Sequence, residues 1–195
     1  LSSLDNAALK IKSRGPDFTG KWINKKKNFA TSHNRLSIID VSSNGNQPMH
    51  SQNEKYTIVY NGELYNFLEI KEKIFKDFNY NSWKSSSDTE VFLKAIELYG
   101  VEASLKLFCG MFSFALWDNM NEILYLARDI AGEKPLYYFL NENNLIFASQ
   151  IKCFKDFGFD LSVDENSVRK YLYLNYIPSP DTIFKEIKRS PQDIC

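Results

Sequence analysis

Residues 110–128 read Gly110-Met111-Phe112-Ser113-Phe114-Ala115-Leu116-Trp117-Asp118-Asn119-Met120-Asn121-Glu122-Ile123-Leu124-Tyr125-Leu126-Ala127-Arg128. Two strand-length apolar runs, Met111–Asp118 and Glu122–Arg128, flank a short polar break at Asn119-Met120-Asn121. Apolar runs of that length, rich in aromatic residues and bounded by turn formers, predict an antiparallel hairpin. The pattern recurs downstream, where Leu136–Leu140 and Leu145–Ser149 are joined through Asn141-Glu142-Asn143-Asn144. Upstream, Tyr56-Thr57-Ile58-Val59-Tyr60 predicts another strand, cut off by Asn61-Gly62, a strong turn signal. Phe29–His33 and Leu36–Ile39 predict strands on either side of a bend.

Helical spacing separates these strands. Leu4, Ala7, Ala8 and Ile11 recur on one face, and Arg14-Gly15-Pro16-Asp17 ends that helix with a turn. Phe67–Lys76 has the same spacing. Ser85-Ser86-Ser87-Asp88 offers N-cap residues to a helix at Thr89–Tyr99, whose apolar positions are Val91, Phe92, Ala95, Ile96 and Tyr99. Ile151–Phe157 and Asp164–Tyr173 also read as helical, and Pro178, Pro180 and Pro191 mark an exit. Blocks of helices between blocks of hairpins predict an α+β fold with helices covering sheets. The expected organisation is one domain over residues 1–176, then a linker or the start of another domain at 177–195.

Composition narrows the function. Of 195 residues, 44% are hydrophobic and 15% aromatic, enough for a sizeable core. Lys+Arg and Asp+Glu both number 24, so net charge gives no reason to expect nucleic acid or an anionic membrane as partner. Lys25-Lys26-Lys27 is a short basic run and reads as a solvated loop. No apolar stretch approaches the ~20 residues that span a bilayer, and the opening residues lack the features of a signal peptide. Cys109, Cys153 and Cys195 have no paired spacing, which excludes a disulfide framework or zinc motif and favours a reducing, cytoplasmic setting. With only His33 and His50 as histidines, no metal site is expected.

Three polar clusters carry candidate chemistry. The Asn61 amide beside the Gly62 N–H would suit a developing oxyanion, although an ordinary turn explains the same residues. Arg35 offers a bidentate fork to a carboxylate, or a surface salt bridge. Asp88 would bind an ammonium group, or simply cap a helix.

Taken in order, the motifs resemble a known family. RGPD (14–17), HNRLSIID (33–40), QPM (47–49), YNGELYN (60–66), SDTEV (87–91), GMFSFALWD (110–118) and RDIAGEKPLYY (128–138) are similar to the class II glutamine amidotransferase domains of asparagine synthetases. The Leu36-Ser37-Ile38-Ile39-Asp40 run after Arg35 points to that branch, since relatives making glucosamine phosphate or phosphoribosylamine carry a different sequence there. The resemblance implies an N-terminal-nucleophile (Ntn) hydrolase fold, a four-layer α/β/β/α sandwich of two stacked antiparallel sheets between helices. It also assigns roles. Arg35 would grip the α-carboxylate of L-glutamine, with Leu36, Ser37, Ile38 and Ile39 shaping the pocket. Glu63 and Asp88 would hold the α-ammonium, and Asn61 with Gly62 would form the oxyanion hole. RGPD and RDIAGEKPLYY would be structural, with a possible share in an ammonia route.

In that family the nucleophile is an N-terminal cysteine followed by Gly-Ile, whose own α-amine acts as base. This sequence opens at Leu1. The expectation is therefore a domain without its first strand, which binds glutamine without hydrolysing it. Cys109 is expected to be a buried structural thiol, Cys153 to lie on a helix, and neither matches the nucleophile's motif. No cofactor is expected in this domain. ATP and Mg are implied for a C-terminal synthetase domain, the expected partner, and the full enzyme could form a homodimer. Two other readings stay open: a non-catalytic glutamine-binding or scaffold module, and a synthetase domain with another acceptor.

Overall fold

The computed structural model describes residues 2–191, so Cys195 lies outside it. Helix α1 (Ser2–Lys10) leads through a 3-10 turn at Lys12–Arg14 into β1 (Phe18–Ile23) and β2 (Ala30–Arg35). β3 (Met49–His50) and β4 (Tyr56–Leu64) precede three helices, α2 (Phe67–Phe78), α3 (Asp88–Tyr99) and α4 (Val101–Leu107). β5 (Gly110–Asp118), β6 (Ile123–Arg128), β7 (Tyr137–Leu140) and β8 (Leu145–Ala148) follow. A 3-10 stretch at Ile151–Phe157, α5 (Glu165–Leu174) and β9 (Ile187–Arg189) complete the order.

The central sheet is antiparallel, in the order β3-β4-β5-β6. Its pairing explains the core. Alternation along β4 sends Tyr56, Ile58, Tyr60 and Leu64 to one face, and all four are buried. There they meet Phe112, Phe114 and Leu116 of β5, Ile70 and Ile74 of α2, and Val91, Phe92 and Ile96 of α3. Burying each such side chain contributes about 1.5–3 kcal/mol, which is what holds two amphipathic helices on the sheet. The opposite face of the sheet meets a second strand layer. Phe29, just before β2, stacks on Trp117 with centroids 4.6 Å apart, and reaches Phe147 of β8 at 6.3 Å. A smaller core of Phe139, Phe154 and Ile187 closes the far end.

Both hairpins form as the apolar runs predict. The second layer is not one sheet, however: β1-β2 and β8-β7-β9 pair separately. Leu36–Ile39 forms no strand; Leu36, Ile38 and Ile39 are exposed in a loop, because β2 has already ended at Arg35. Asn61-Gly62 is no turn either. β4 continues through both residues to Leu64, paired along its whole length with β5 from Tyr56↔Asp118 to Leu64↔Gly110. Three strands and a helix lie where no local pattern announces them: β1, the two-residue β3, α4, and β9, which pairs with β7 inside the stretch expected as a linker. Cys109, expected to be buried, is exposed.

Candidate functional site

The far half of β4 has a free edge that side chains complete. β3 covers β4 only as far as Ile58, so from Tyr60 onward the edge is open. Gln47 takes the place of a strand there. Its Oε1 accepts from the Tyr60 N–H at 2.6 Å, and its Nε2 donates to the Tyr60 carbonyl at 3.1 Å. The Leu64 N–H donates to the Asp88 carboxylate at 2.8 Å. In an antiparallel strand these groups alternate, so the Gly62 N–H faces the same edge, midway between the two. Gly62 packs against β5 so closely that an added Cβ would lie 2.6 Å from the Phe112 Cα.

Asn61 points from the other face of the sheet and pairs with Ser113. Its Nδ2 is buried without a hydrogen-bond partner. Since an unpaired buried donor costs about 1–3 kcal/mol, the fold keeps a donor ready at some expense. Asn61 lines a cavity of about 430 Å³ whose walls include α1, β2, β4, β5 and β8. β2 and β8 each pair on one side only, and both line this cavity. His33 lines it too. A carbonyl only accepts, so His33 Nε2 must be the donor to the Tyr60 carbonyl at 3.1 Å. That leaves Nδ1 bare, buried and unpartnered. Burial, with help from the Arg35 charge, lowers the His33 pKa to about 4 and keeps the ring neutral.

Asp88 is the first residue of α3, and Ser87 is its cap, accepting from the Thr89 N–H at 3.1 Å. The Asp88 carboxylate is therefore free for other partners. Besides the Leu64 N–H it accepts from the Tyr60 hydroxyl at 3.3 Å. Burial raises its pKa, and the charge of Glu63 adds to that rise. Two carboxylates thus sit near each other at the end of β4, and neither forms an ion pair among the described residues. Burial and the charges of Asp88 and Glu63 also raise the Tyr60 pKa, which keeps its hydroxyl protonated.

Arg35 is buried and already committed. Its Nη1 donates to the Ser42 carbonyl at 2.6 Å and to Asn46 Oδ1 at 2.8 Å, while Nη2 donates to the Asp40 carbonyl. The guanidinium thus ties down the 40–46 loop, and Gly45 leaves it room. Asp40 extends this loop to the α3 end of the site: its Oδ2 accepts from the Ser86 N–H at 2.8 Å. Hydrogen bonds from Ser42, chiefly its side chain, and from Ser86 bring the Asp40 pKa down to about 2.

Asn61, Gly62, Glu63 and Asp88 therefore gather at one end of β4, and Arg35 joins them through Asp40 and Ser86. Leu36, Ser37, Ile38 and Ile39 do not enter the cavity. Tyr60, Gln47, Asp40 and His33 belong to the site, yet reading the sequence gave them no role. Their bonds run to backbone groups of distant segments, and no local pattern encodes those. Among the described residues no cluster of His, Cys, Asp and Glu could hold a metal ion, and no helix is long and apolar enough to cross a membrane.

A glutamine amidotransferase domain model matches residues 2–193. Asparagine synthetase [glutamine-hydrolyzing] 1 of Bacillus subtilis (strain 168) is 38% identical over 180 residues, 92% of this chain but 27% of that protein. A putative asparagine synthetase [glutamine-hydrolyzing] 2 of Methanocaldococcus jannaschii is 36% identical over 194 residues, 90% of this chain and 36% of its own length. The chain thus spans about a third of these relatives. The glutamine phosphoribosylpyrophosphate amidotransferase of B. subtilis, complexed with ADP and GMP, superposes with a TM-score of 0.57 at 19% identity. That match covers 85% of this chain and 35% of the other, and shows a shared Ntn-hydrolase fold.

Proposed function

The chain belongs to the glutamine amidotransferase domain family, and on that premise we propose that it is the L-glutamine-binding part of a longer glutamine-hydrolysing asparagine synthetase. One observation carries the reading: an unpaired amide donor, Asn61 Nδ2, and two carboxylates without a cation, Glu63 and Asp88, meet at one strand end. Free glutamine has complementary groups. Its ammonium fits the two carboxylates, and the oxyanion formed from its side-chain amide fits Asn61 with the Gly62 N–H. Arg35 acts by fixing the 40–46 loop, which reaches the Asp88 end of the site through the Asp40–Ser86 hydrogen bond.

On this reading hydrolysis uses the family's N-terminal cysteine as its nucleophile. Cys153 lines the cavity, but its thiol donates to the Ala7 carbonyl at 3.6 Å and burial raises its pKa. A protonated, tethered thiol is no nucleophile. We place the family's Cys-Gly-Ile strand in the 430 Å³ cavity, between the unpaired edges of β2 and β8. The ammonia released there would serve the ATP- and Mg-dependent amidation of aspartate in the rest of the protein.

The test is ammonia release from glutamine. Residues 1–195 alone should give none above background. The same chain extended at its N-terminus with a Cys-Gly-Ile strand should turn over, and Asn61→Ala should lower its kcat by about 10²–10³, the usual cost of one oxyanion donor. An extended chain that folds and binds glutamine, yet keeps full kcat in the Asn61 variant, would refute the assignment.

A further inference from the structure

Helix α5 is fixed at both ends, yet its apolar side chains have nothing to pack on. Asp164 caps its start, accepting from the Asn166 N–H at 3.2 Å and from the Ser167 hydroxyl at 2.7 Å. Asn175 closes it in the left-handed region, with φ of 64°, and donates its N–H to the Tyr171 carbonyl at 2.8 Å. Ser167, near the start, is the buried residue of the helix. Beyond it the side chains turn apolar and face solvent. Leu172 is 75% and Tyr173 86% exposed, and Tyr171, Leu174 and Tyr176 are exposed with them.

Successive residues of an α-helix point about 100° apart, so Tyr171 to Leu174 set apolar groups on every side of the last turn. A helix apolar all round is one that other structure encloses, and helices shorter than roughly 12–15 residues hold poorly in water by themselves. No helix or strand of the described residues packs along α5. Its attachment is polar instead: Lys170 pairs with Asp181 Oδ2 at 2.7 Å, and Asp181 Oδ1 takes Lys188 of β9 at 3.0 Å. One carboxylate thus ties α5 to the last strand.

We propose that α5 is a docking helix, its Tyr171–Tyr176 turn enclosed by the part of the longer protein that lies beyond this domain. The inference rests on the reading of the chain as one part of a longer synthetase. Two observations choose that occupant. The chain spans about a third of its relatives, so on that reading most of the protein is available to cover the helix. The Asp181 tie also brings β9 to α5, so residues following that strand set out beside the helix. A second copy meeting α5 about a twofold axis would cover one face and leave the other wet. A helix apolar on all sides needs more cover than that.

Hydrogen exchange, measured on the longer gene product and on the 195-residue chain, tests this. Amides of residues 171–176 should exchange at least about tenfold more slowly in the longer protein. Leu172→Ala combined with Tyr173→Ala should leave the melting temperature of the 195-residue chain unchanged, because neither side chain is covered there. In the longer protein the same pair should speed exchange at 171–176 by about tenfold or more. Equal exchange in the two proteins, or no change on substitution, would overturn the proposal. Self-association of the 195-residue chain that the substitutions abolish would overturn it too, by assigning the helix to a second copy. A gene product no longer than this chain would instead remove the longer-synthetase reading, and this inference with it. Ammonia release by the same longer protein reports on that reading separately.

Discussion

His33 sets how this domain responds to mild acid. Its pKa falls from the ordinary 6.5 to about 4 because the ring is buried and lies near Arg35. The unfolded chain takes up a proton near pH 6.5, whereas the folded chain refuses it until about pH 4. Stability is therefore whole above pH 6.5 and falls as pH drops through that window. His33→Gln keeps a donor for the Tyr60 carbonyl and has nothing to titrate. Melting temperatures measured from pH 7.5 to 4.5 should fall for the wild type and stay flatter for the variant. Parallel curves would contradict the assignment. Asp40 acts at lower pH and in its own window: with a folded pKa of about 2, its contribution is lost between roughly pH 4 and 2.

Strand β4 is the element that builds the site, and its packing on β5 fixes the register. Gly62→Ala would press a methyl group onto the Phe112 backbone at 2.6 Å, where β5 cannot retreat without breaking its pairing with β6. A loss of about 2–4 kcal/mol in chemical denaturation is expected, as for other overpacked or strained positions. A change below ~0.5 kcal/mol would mean that β4 and β5 are not this close. The same strand shows what the sequence can and cannot convey. Its apolar alternation up to Tyr60 is plain, and so are the two later hairpins. Asn-Gly is a turn former only where local preference decides, and here the pairing with β5 overrides it. Leu36–Ile39 errs the other way: the residues suit a strand, but no sheet edge is offered to them. β1 is hidden because Gly20 interrupts it and its exposed and buried positions do not separate cleanly. The candidate residues Arg35, Asn61, Glu63 and Asp88 stood out through ordered motifs, whereas Gln47 and Tyr60 act through backbone bonds that only the folded chain creates.

At the scale of the whole molecule, two layers of strands leave a site whose charges are not yet balanced. Asp88 illustrates the tension, since burial and Glu63 raise its pKa and make its ionised form costly near neutral pH. A bound ammonium would relieve that cost, so ligand and stability should be coupled. The central claim, that this chain recognises free L-glutamine at the end of β4, is tested most directly by isothermal titration of residues 1–195 with L-glutamine at pH 7. Saturable binding is expected, weakened about tenfold or more by Asp88→Asn although that variant melts no lower than the wild type at the same pH. No saturable binding to the folded chain, or equal affinity in Asp88→Asn, would contradict the account.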